Sequence, residues 1–170
     1  TLLYALETPE VGGDTLFADT ASAYAALSDG MKAMLDGLIA CNNADLKASG
    51  GRSKHHGNIG GMAIHGTDEA DQIVSEHPLI RTHPDTGAKA IYMNRGHTTH
   101  FKGFTEQESK PLIEFLQNHI TQPAFTCRVT WQPGTVTLWD NRCTHHSAIN
   151  DYDGYRRRMR RITMGAQTPA

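Results

Sequence analysis

Apolar and polar residues alternate in short runs along most of the chain, and residues typical of turns separate the runs. Alternation with a period of two is typical of half-buried strands. The pattern predicts strands at residues 2–6, 14–18, 77–82, 88–93, 125–131, 135–139 and 156–164, with a connector at 140–146 that leads into another strand. We therefore expect a mainly β chain, arranged as a sandwich or barrel.

Helical signals occupy three shorter stretches. Helices are predicted at residues 21–27, 31–38 and 105–120. Asp19 stands where a side chain would cap the first helix, and Thr105 with Glu108 has the spacing of a capping box for the third. The buried face of the third helix is predicted to contain Leu112, Ile113, Phe115 and Leu116.

One long segment matches neither pattern. Residues 42–67 are rich in Gly, Ser, His, Asn and Lys, and they are predicted to form a lid or flexible loop. The 170 residues are the length of one ordinary domain, so a single domain over 1–170 with helices flanking its strands is the expected organisation.

Composition and charge exclude several classes of function. Hydrophobic residues make up 38% and charged residues 20%, which is typical of a soluble globular chain. The net charge of −2 gives no general attraction to nucleic acid or to an anionic membrane, and no apolar run approaches the roughly 18 residues of a membrane span. The three cysteines are far apart and form no CxxC, so a reducing, cytoplasmic setting is expected.

The last predicted strand is unusual because five of the six residues from Arg156 to Arg161 are arginines. Alternation places Arg157 and Arg161 on one face and the remaining arginines on the other. An inward arginine is costly to bury without an anionic partner, and a small dicarboxylate would be such a partner. An exposed basic edge strand and a nucleic-acid patch are the alternatives that the strand alone leaves open.

His146 lies eleven residues before Arg157. On neighbouring strands of a barrel, a histidine and an arginine can point into the same opening. A neutral imidazole is a good ligand for iron(II), although a lone histidine is more often a surface or core residue. The chain contains ten histidines, which is a high count. The count indicates a metal site only if the spacing of particular histidines supports one.

Six segments, in chain order, carry a resemblance to a known family. They are Gly12-Gly13-Asp14-Thr15-Leu16-Phe17, His77-Pro78-Leu79-Ile80-Arg81-Thr82-His83-Pro84, Tyr92-Met93-Asn94, Gly96-His97-Thr98-Thr99-His100, Trp139-Asp140-Asn141-Arg142 and the arginine strand. The chain resembles the C-terminal part of the taurine dioxygenase and dichlorophenoxyacetate dioxygenase family of iron(II)/2-oxoglutarate enzymes. The block from Trp139 to the arginine strand is the most specific part of the resemblance.

The resemblance implies a fold and a set of site residues. The fold would be a double-stranded β-helix, or jelly roll, with flanking helices and an incomplete N-terminus. His146 would be the distal histidine of a facial triad of two histidines and one carboxylate, with its neighbour His145 as the alternative ligand. Thr15 and Arg157 would bind the far carboxylate of 2-oxoglutarate, and Arg161 would face the anionic group of the substrate.

The family's His-x-Asp pair is the main departure from the pattern. It would lie about a dozen residues before the position of Thr15, which falls just before Thr1. Because the chain opens with Thr1 in an apolar run, it is expected to be a piece of a longer protein, with an incomplete iron site. His83-Pro84-Asp85 also reads His-x-Asp, but it coincides with a predicted hairpin turn.

The expected parent activity is the oxidation of a small anionic organic acid, such as the sulfonate taurine, with iron(II), 2-oxoglutarate and dioxygen. In that reaction 2-oxoglutarate is cleaved to succinate and carbon dioxide. The expected partners are the small anionic substrate and dioxygen; the charge and the lack of an apolar span predict no nucleic-acid or membrane partner, and a homo-oligomer is left open. A jelly-roll module that binds a small anion without catalysis, and a basic-strand nucleic-acid binder, are the rival interpretations.

Overall fold

Short antiparallel strands form most of the ordered backbone. The computed structural model describes residues 1–43 and 74–165, and within these ranges it has eleven strands and three α-helices. The strands are β1 Leu2–Glu7, β2 Thr15–Asp19, β3 Ile39–Asn43, β4 Val74–Pro78, β5 Ile80–Thr82, β6 Lys89–Ile91, β7 Thr98–Phe101, β8 Thr126–Val129, β9 Val136–Leu138, β10 Thr144–Ala148 and β11 Arg158–Ile162. The helices are α1 Thr20–Ala25, α2 Asp29–Leu35 and α3 Glu106–Ile120.

The described strands pair in four small antiparallel groups. Their orders are β11-β1-β9, β10-β2-β8, β4-β3-β7 and β5-β6. In the first two groups, strands from the start of the chain pair with strands from its last forty-five or so residues, so β1 lies between β9 and β11. In the second group β2 lies between β8 and β10. The predicted mainly β class with few helices is therefore confirmed.

The first and third helices begin at the capping residues that the sequence predicts. The Asp19 carboxylate accepts the backbone N–H groups of Ala21 and Ser22 at the start of α1. Thr105 and Glu108 form the predicted capping box of α3, with both reciprocal bonds present. The second helix begins earlier than predicted and ends at Leu35, because Gly37 adopts a left-handed φ of 84° just beyond it.

The hydrophobic core lies between the helices and the middle strands. Its fully buried side chains include Leu35, Leu79, Ile91, Phe101, Leu116 and Ile120. Burial of such a side chain stabilises the fold by roughly 1.5–3 kcal/mol. The predicted buried face of α3 is wrong at Phe115, which is 43% exposed and stacks on His119, whereas Ile113 and Leu116 are buried as predicted.

Two boundaries differ from the sequence predictions for identifiable reasons. The predicted strand at 77–82 is broken into β4 and β5 at Leu79, whose backbone bonds to Leu38 and Tyr92 instead of continuing a ladder. Strands β3 and β7 were not predicted, and β3 includes Asn42 and Asn43, which the predicted loop contained. The rest of that loop, residues 44–67, lies outside the described residues. In the described ranges, no helix has the length and apolar character of a membrane span.

Candidate functional site

A cleft of about 400 Å³ opens beside β10. Both histidines of that strand, His145 and His146, contribute to its lining. Side chains from β3, β4 and the segment after β6 complete much of the wall, including Asn42, His77, Tyr92 and Asn94. Among the described residues that line this cleft, none is an aspartate or glutamate. The polar groups that these side chains offer to a ligand are therefore imidazoles, amides and hydroxyls, together with the thioether of Met93.

The register of β10 against β2 separates the two histidines. His146 pairs with Phe17 and Ala148 pairs with Thr15, whereas His145 pairs with Ala18. Directly opposed residues of an antiparallel pair point to the same face, so His146 and Thr15 share one face. The His146 ring also lies 4.9 Å from the Trp139 ring and 6.2 Å from the Phe17 ring, measured between centroids.

His145 differs from His146 in its surroundings. It is partly buried, whereas His146 is exposed. Burial, with a smaller contribution from His146, lowers the pKa of His145 to about 4. His145 is therefore neutral near pH 7. Since both side chains line the cleft, alternation along β10 alone does not exclude His145 as a ligand.

Four residues from separate parts of the chain form what we call the Arg157 corner: Gly13, Thr15, Trp131 and Arg157. Arg157 Nε donates to the Gly13 carbonyl at 2.9 Å, and Arg157 Nη2 lies 3.5 Å from Thr15 Oγ1. The buried Trp131 indole donates to the same hydroxyl oxygen at 3.0 Å. The Arg157 guanidinium lies 5.8 Å from the Trp131 ring centroid. The corner therefore holds one cation beside one oriented hydroxyl group.

The glycine pair before Thr15 makes the corner sterically feasible. Gly12 and Gly13 have φ values of 84° and 71°, which favour glycine. A Cβ on Gly12 would lie 2.6 Å from the Asp151 carbonyl oxygen, and one on Gly13 would lie 3.0 Å from Arg157 Cδ. Asp151 in turn accepts the Gly13 N–H at 2.7 Å. Side chains at these positions would push Asp151 and Arg157 away.

The arginine strand is less buried than the sequence prediction assumed. Arg157 is partly buried and immediately precedes β11, whereas Arg161 pairs with Leu3 of β1 and is exposed. The arginines predicted to face away, Arg156, Arg158 and Arg160, are exposed too. The structure brings Thr15 and Arg157 together but shows no comparable set of contacts around Arg161 within the described residues.

The alternative His83-Pro84-Asp85 pair belongs to a different cluster. His83 Nε2 lies 3.1 Å from Asp140 Oδ2, while its Nδ1 accepts the backbone N–H of Asp85. Arg142 bonds to the carboxylates of both Asp140 and Asp85. His83 and Asp85 therefore do not converge on a common metal position.

The same cluster contains a second set of potential ligands. Ligand atoms of His83, Asp140 and Cys143 lie within 4.8 Å of one another. The hydrogen bonds to Arg142 hold the pKa of the Asp140 carboxyl well below its usual range and raise the pKa of Arg142. The guanidinium thus already neutralises the carboxylate that a metal would need. We interpret the cluster as a clamp between the β5–β6 turn and the segment after Trp139.

Comparisons with known proteins agree on one family. Residues 1–163 match the family described as "Taurine catabolism dioxygenase TauD, TfdA family". The chain is 34% identical over 173 residues to an alkylsulfatase of Acinetobacter baylyi, covering 98% of this chain and 52% of that protein. It is 33% identical over 177 residues to an alpha-ketoglutarate-dependent sulfate ester dioxygenase of Pseudomonas putida, covering 99% and 56%.

Solved structures lead to the same family. A taurine dioxygenase from Burkholderia xenovorans is similar with a TM-score of 0.74 and 33% identity, over 93% of this chain and 49% of that one. AAD-2 in complex with Mn(II) and N-oxalylglycine is similar with a TM-score of 0.82 and 30% identity, over 99% and 63%. The chain belongs to the TauD/TfdA family. It spans about half the length of the curated relatives it matches.

Sequence reasoning missed several residues that the structure places at the site. The pattern marks Trp131 only as the end of a strand, yet its indole orients Thr15. Asp151 belongs to no motif, although its carboxylate bonds to the glycine turn. Tyr92 and Asn94 belong to a matching segment that implied no role for them, and they line the cleft. Their signal was the resemblance itself, since neither periodicity nor charge marks them.

Proposed function

We propose that the protein carrying this chain is an iron(II)- and 2-oxoglutarate-dependent dioxygenase that oxidises a small anionic acid of the sulfonate or sulfate-ester class. The observation that supports it best is the shared face of β2 and β10, where Thr15 and His146 stand two positions apart on adjacent strands. That offset corresponds to about 7 Å along the strand. A cosubstrate held at one end by Thr15 could therefore reach a metal held by His146.

The finer architecture is part of the proposal. Four small antiparallel groups, with first and last strands paired, are compatible with a double-stranded β-helix over a single domain. The names of the relatives support 2-oxoglutarate as cosubstrate: one is a sulfate ester dioxygenase, and another is a sulfonate dioxygenase of Saccharomyces cerevisiae. A cytoplasmic location is proposed from the cysteine pattern alone.

The Arg157 corner suits the far carboxylate of 2-oxoglutarate. The Arg157 guanidinium donates from Nε to the Gly13 carbonyl and from Nη2 to Thr15 Oγ1. Its Nη1 has no acceptor among the residues that the structure describes. Thr15 Oγ1 accepts from Trp131, so its own proton remains available to a carboxylate oxygen. A guanidinium and a hydroxyl that both donate would bind the carboxylate by charge-assisted hydrogen bonds.

His146 suits a metal ligand, because it is exposed at the cleft and its imidazole can bind iron(II) through a ring nitrogen. When bound, iron(II) supplies the oxidising chemistry of the reaction. The chain's own residues position the two organic acids: Arg157 and Thr15 hold the cosubstrate, and Arg161 holds the anionic group of the substrate. The Trp139 and Phe17 rings beside His146 limit its orientation.

Succinate formation tests the proposal. The intact protein is incubated with iron(II), 2-oxoglutarate, dioxygen and a panel of alkyl sulfonates, alkyl sulfates and aryloxyacetates. We expect succinate release that depends on one of these acids and that falls in Arg157→Ala when 2-oxoglutarate is not saturating. If 2-oxoglutarate binds but no member of the panel stimulates its turnover, the rival interpretation of a non-catalytic anion-binding module would be favoured.

A further inference from the structure

Two asparagines on the cleft wall are held by a small hydrogen-bond network that the proposed mechanism does not use. Asn94 Oδ1 accepts the backbone N–H of Gly96 at 2.8 Å. The buried Thr98 hydroxyl donates to Asn42 Oδ1 at 2.6 Å and accepts the Asn94 backbone N–H at 3.0 Å. We call Asn42 and Asn94 the amide pair. Both line the cleft that contains His146.

The network determines which end of each amide remains available. A backbone N–H can only donate, so the Asn94 atom that faces Gly96 must be the oxygen. The Thr98 hydroxyl likewise has its proton on Asn42 Oδ1. Neither NH₂ group has an acceptor among the residues that the structure describes. The amide pair therefore offers N–H donors at the cleft, and a ligand group there must supply acceptors.

A buried positive charge lies against another residue of the cleft lining. Arg81 is only 7% exposed, and its guanidinium lies 5.2 Å from the ring centroid of Tyr92, a cleft residue. Within residues 1–43 and 74–165 no carboxylate forms an ion pair with Arg81, so its charge is not neutralised by these residues. The positive potential of a poorly solvated cation favours an anion and disfavours an ammonium group nearby.

We propose that the amide pair is a specificity subsite that takes an acceptor-bearing group of the substrate, such as a carboxylate or a second oxyanion, and rejects an ammonium group. The inference rests on the proposed function and narrows its substrate class. Among short sulfonates, those that carry a carboxylate at the far end are favoured over those that carry an amine. Arg161, which does not belong to the described lining of the cleft, keeps its proposed role at the sulfonate end and is not part of this subsite.

Three probes of similar size separate these preferences: 3-sulfopropionate, 1-propanesulfonate and taurine, whose far ends are a carboxylate, a methyl group and an ammonium group. Binding to the intact protein is measured by calorimetry without dioxygen, both with and without iron(II) and 2-oxoglutarate. We expect 3-sulfopropionate to bind at least about tenfold more tightly than taurine, with the neutral probe between them, because a charged hydrogen bond changes affinity about ten- to a hundredfold.

The variant Asn94→Asp, which replaces the amide with a carboxylate of nearly the same shape, tests the residue itself. Its carboxylate still accepts the Gly96 N–H, so the turn keeps its hydrogen bond, but the group facing the cleft becomes an anionic acceptor. We expect the affinity ratio of 3-sulfopropionate to taurine to fall by about ten- to a hundredfold, to near or below one. Asn42→Asp keeps the bond from Thr98 and should move the ratio the same way.

Asn118→Asp is the matched control, because Asn118 is an exposed residue of α3 and does not line the cleft. It should leave the ratio unchanged. The inference is overturned if the wild type prefers taurine, if it binds none of the three probes, or if both cleft variants keep the wild-type ratio. Because binding is measured without turnover, a protein that binds the probes as expected but forms no succinate would contradict only the proposed activity.

Discussion

The Arg157 corner differs in burial from His146 and Arg161, the residues proposed to bind the metal and the substrate. In the corner, Thr15 Oγ1 accepts hydrogen bonds from the Trp131 indole and the Arg157 guanidinium, and the Gly13 carbonyl accepts from Arg157 Nε. Thr15 is only 3% exposed. His146 and Arg161 are both exposed. A group whose partners hold it in place loses less conformational entropy on binding. Under the proposed function, cosubstrate recognition is therefore built into contacts between these strands, whereas the exposed Arg161 depends more on the substrate that it binds.

The largest expected effect falls on the exposed side. In the intact protein, His146→Ala should abolish succinate formation, because losing a metal ligand removes several kcal/mol of transition-state stabilisation, about a thousandfold in rate. His145→Ala should retain most activity, since His146 and not His145 shares the face of Thr15 that is proposed to hold the cosubstrate, although both histidines line the cleft. Succinate release is the measurement. If His145→Ala were the inactive variant, the assignment of the ligand would be wrong.

The metal itself provides the next test. One predicted triad residue, and no carboxylate, is present among the described residues that line the cleft. We therefore expect residues 1–170 alone to bind iron(II) more weakly than micromolar in a calorimetric titration, since stable sites need three or four protein ligands. Micromolar binding that is lost in His83→Gln would instead identify the His83, Asp140 and Cys143 cluster as a metal site.

Arg157, immediately before β11, and Arg161, within β11, allow the two proposed anion sites to be compared. They stand four residues apart, or roughly 13 Å at about 3.3 Å per residue, which is too far for one small carboxylate to engage both directly. Loss of a charged hydrogen bond costs roughly 1.5–3 kcal/mol, about ten- to a hundredfold in affinity. Arg157→Ala should raise KM for 2-oxoglutarate by that factor, and Arg161→Ala should raise KM for the substrate.

Steady-state kinetics with each ligand varied in turn separates the two roles. The exposed Arg156, Arg158 and Arg160 provide controls that should change either constant little. If both variants weakened 2-oxoglutarate alone, Arg161 would have no substrate role. The main argument from the arginine strand for an anionic substrate would then be lost.

Local signals explain which elements could be predicted from the sequence. Asp19 and the Thr105–Glu108 pair mark helix starts because a cap acts through bonds within four residues. The β5–β6 hairpin was equally visible, because its turn residues have the required conformations. In contrast, β3 and β7 pair with each other across more than fifty residues, and no local pattern marks such pairing. Of these two strands, only Asn42 and Asn43 of β3 fell within the predicted loop.

The site shows the same division between local motifs and tertiary contacts. His146, Thr15 and Arg157 could be named from the resemblance, and the structure places Thr15 beside Arg157. Trp131, Asp151 and Asn42 could not be named, because each acts through a partner that is distant in the sequence. The hydrogen bond from Trp131 to Thr15, for example, spans 116 residues.

The smallest expected effect tests whether the corner is as well prepared as its contacts suggest. A Cβ at Gly13 would lie 3.0 Å from Arg157 Cδ, and the φ of 71° adds strain for any side chain. Gly134 has a φ of 90° but open space where a Cβ would lie, so Gly134→Ala is a control that carries the strain without the contact.

Both variants should lose about 1–2 kcal/mol of stability in chemical unfolding. Only Gly13→Ala should also raise KM for 2-oxoglutarate, by about three- to tenfold, because it displaces the guanidinium without removing it. Equal KM values for the two variants would show that Arg157 reaches the cosubstrate from a range of positions, and the contrast between the hydrogen-bonded Arg157 corner and the exposed Arg161 would then not hold.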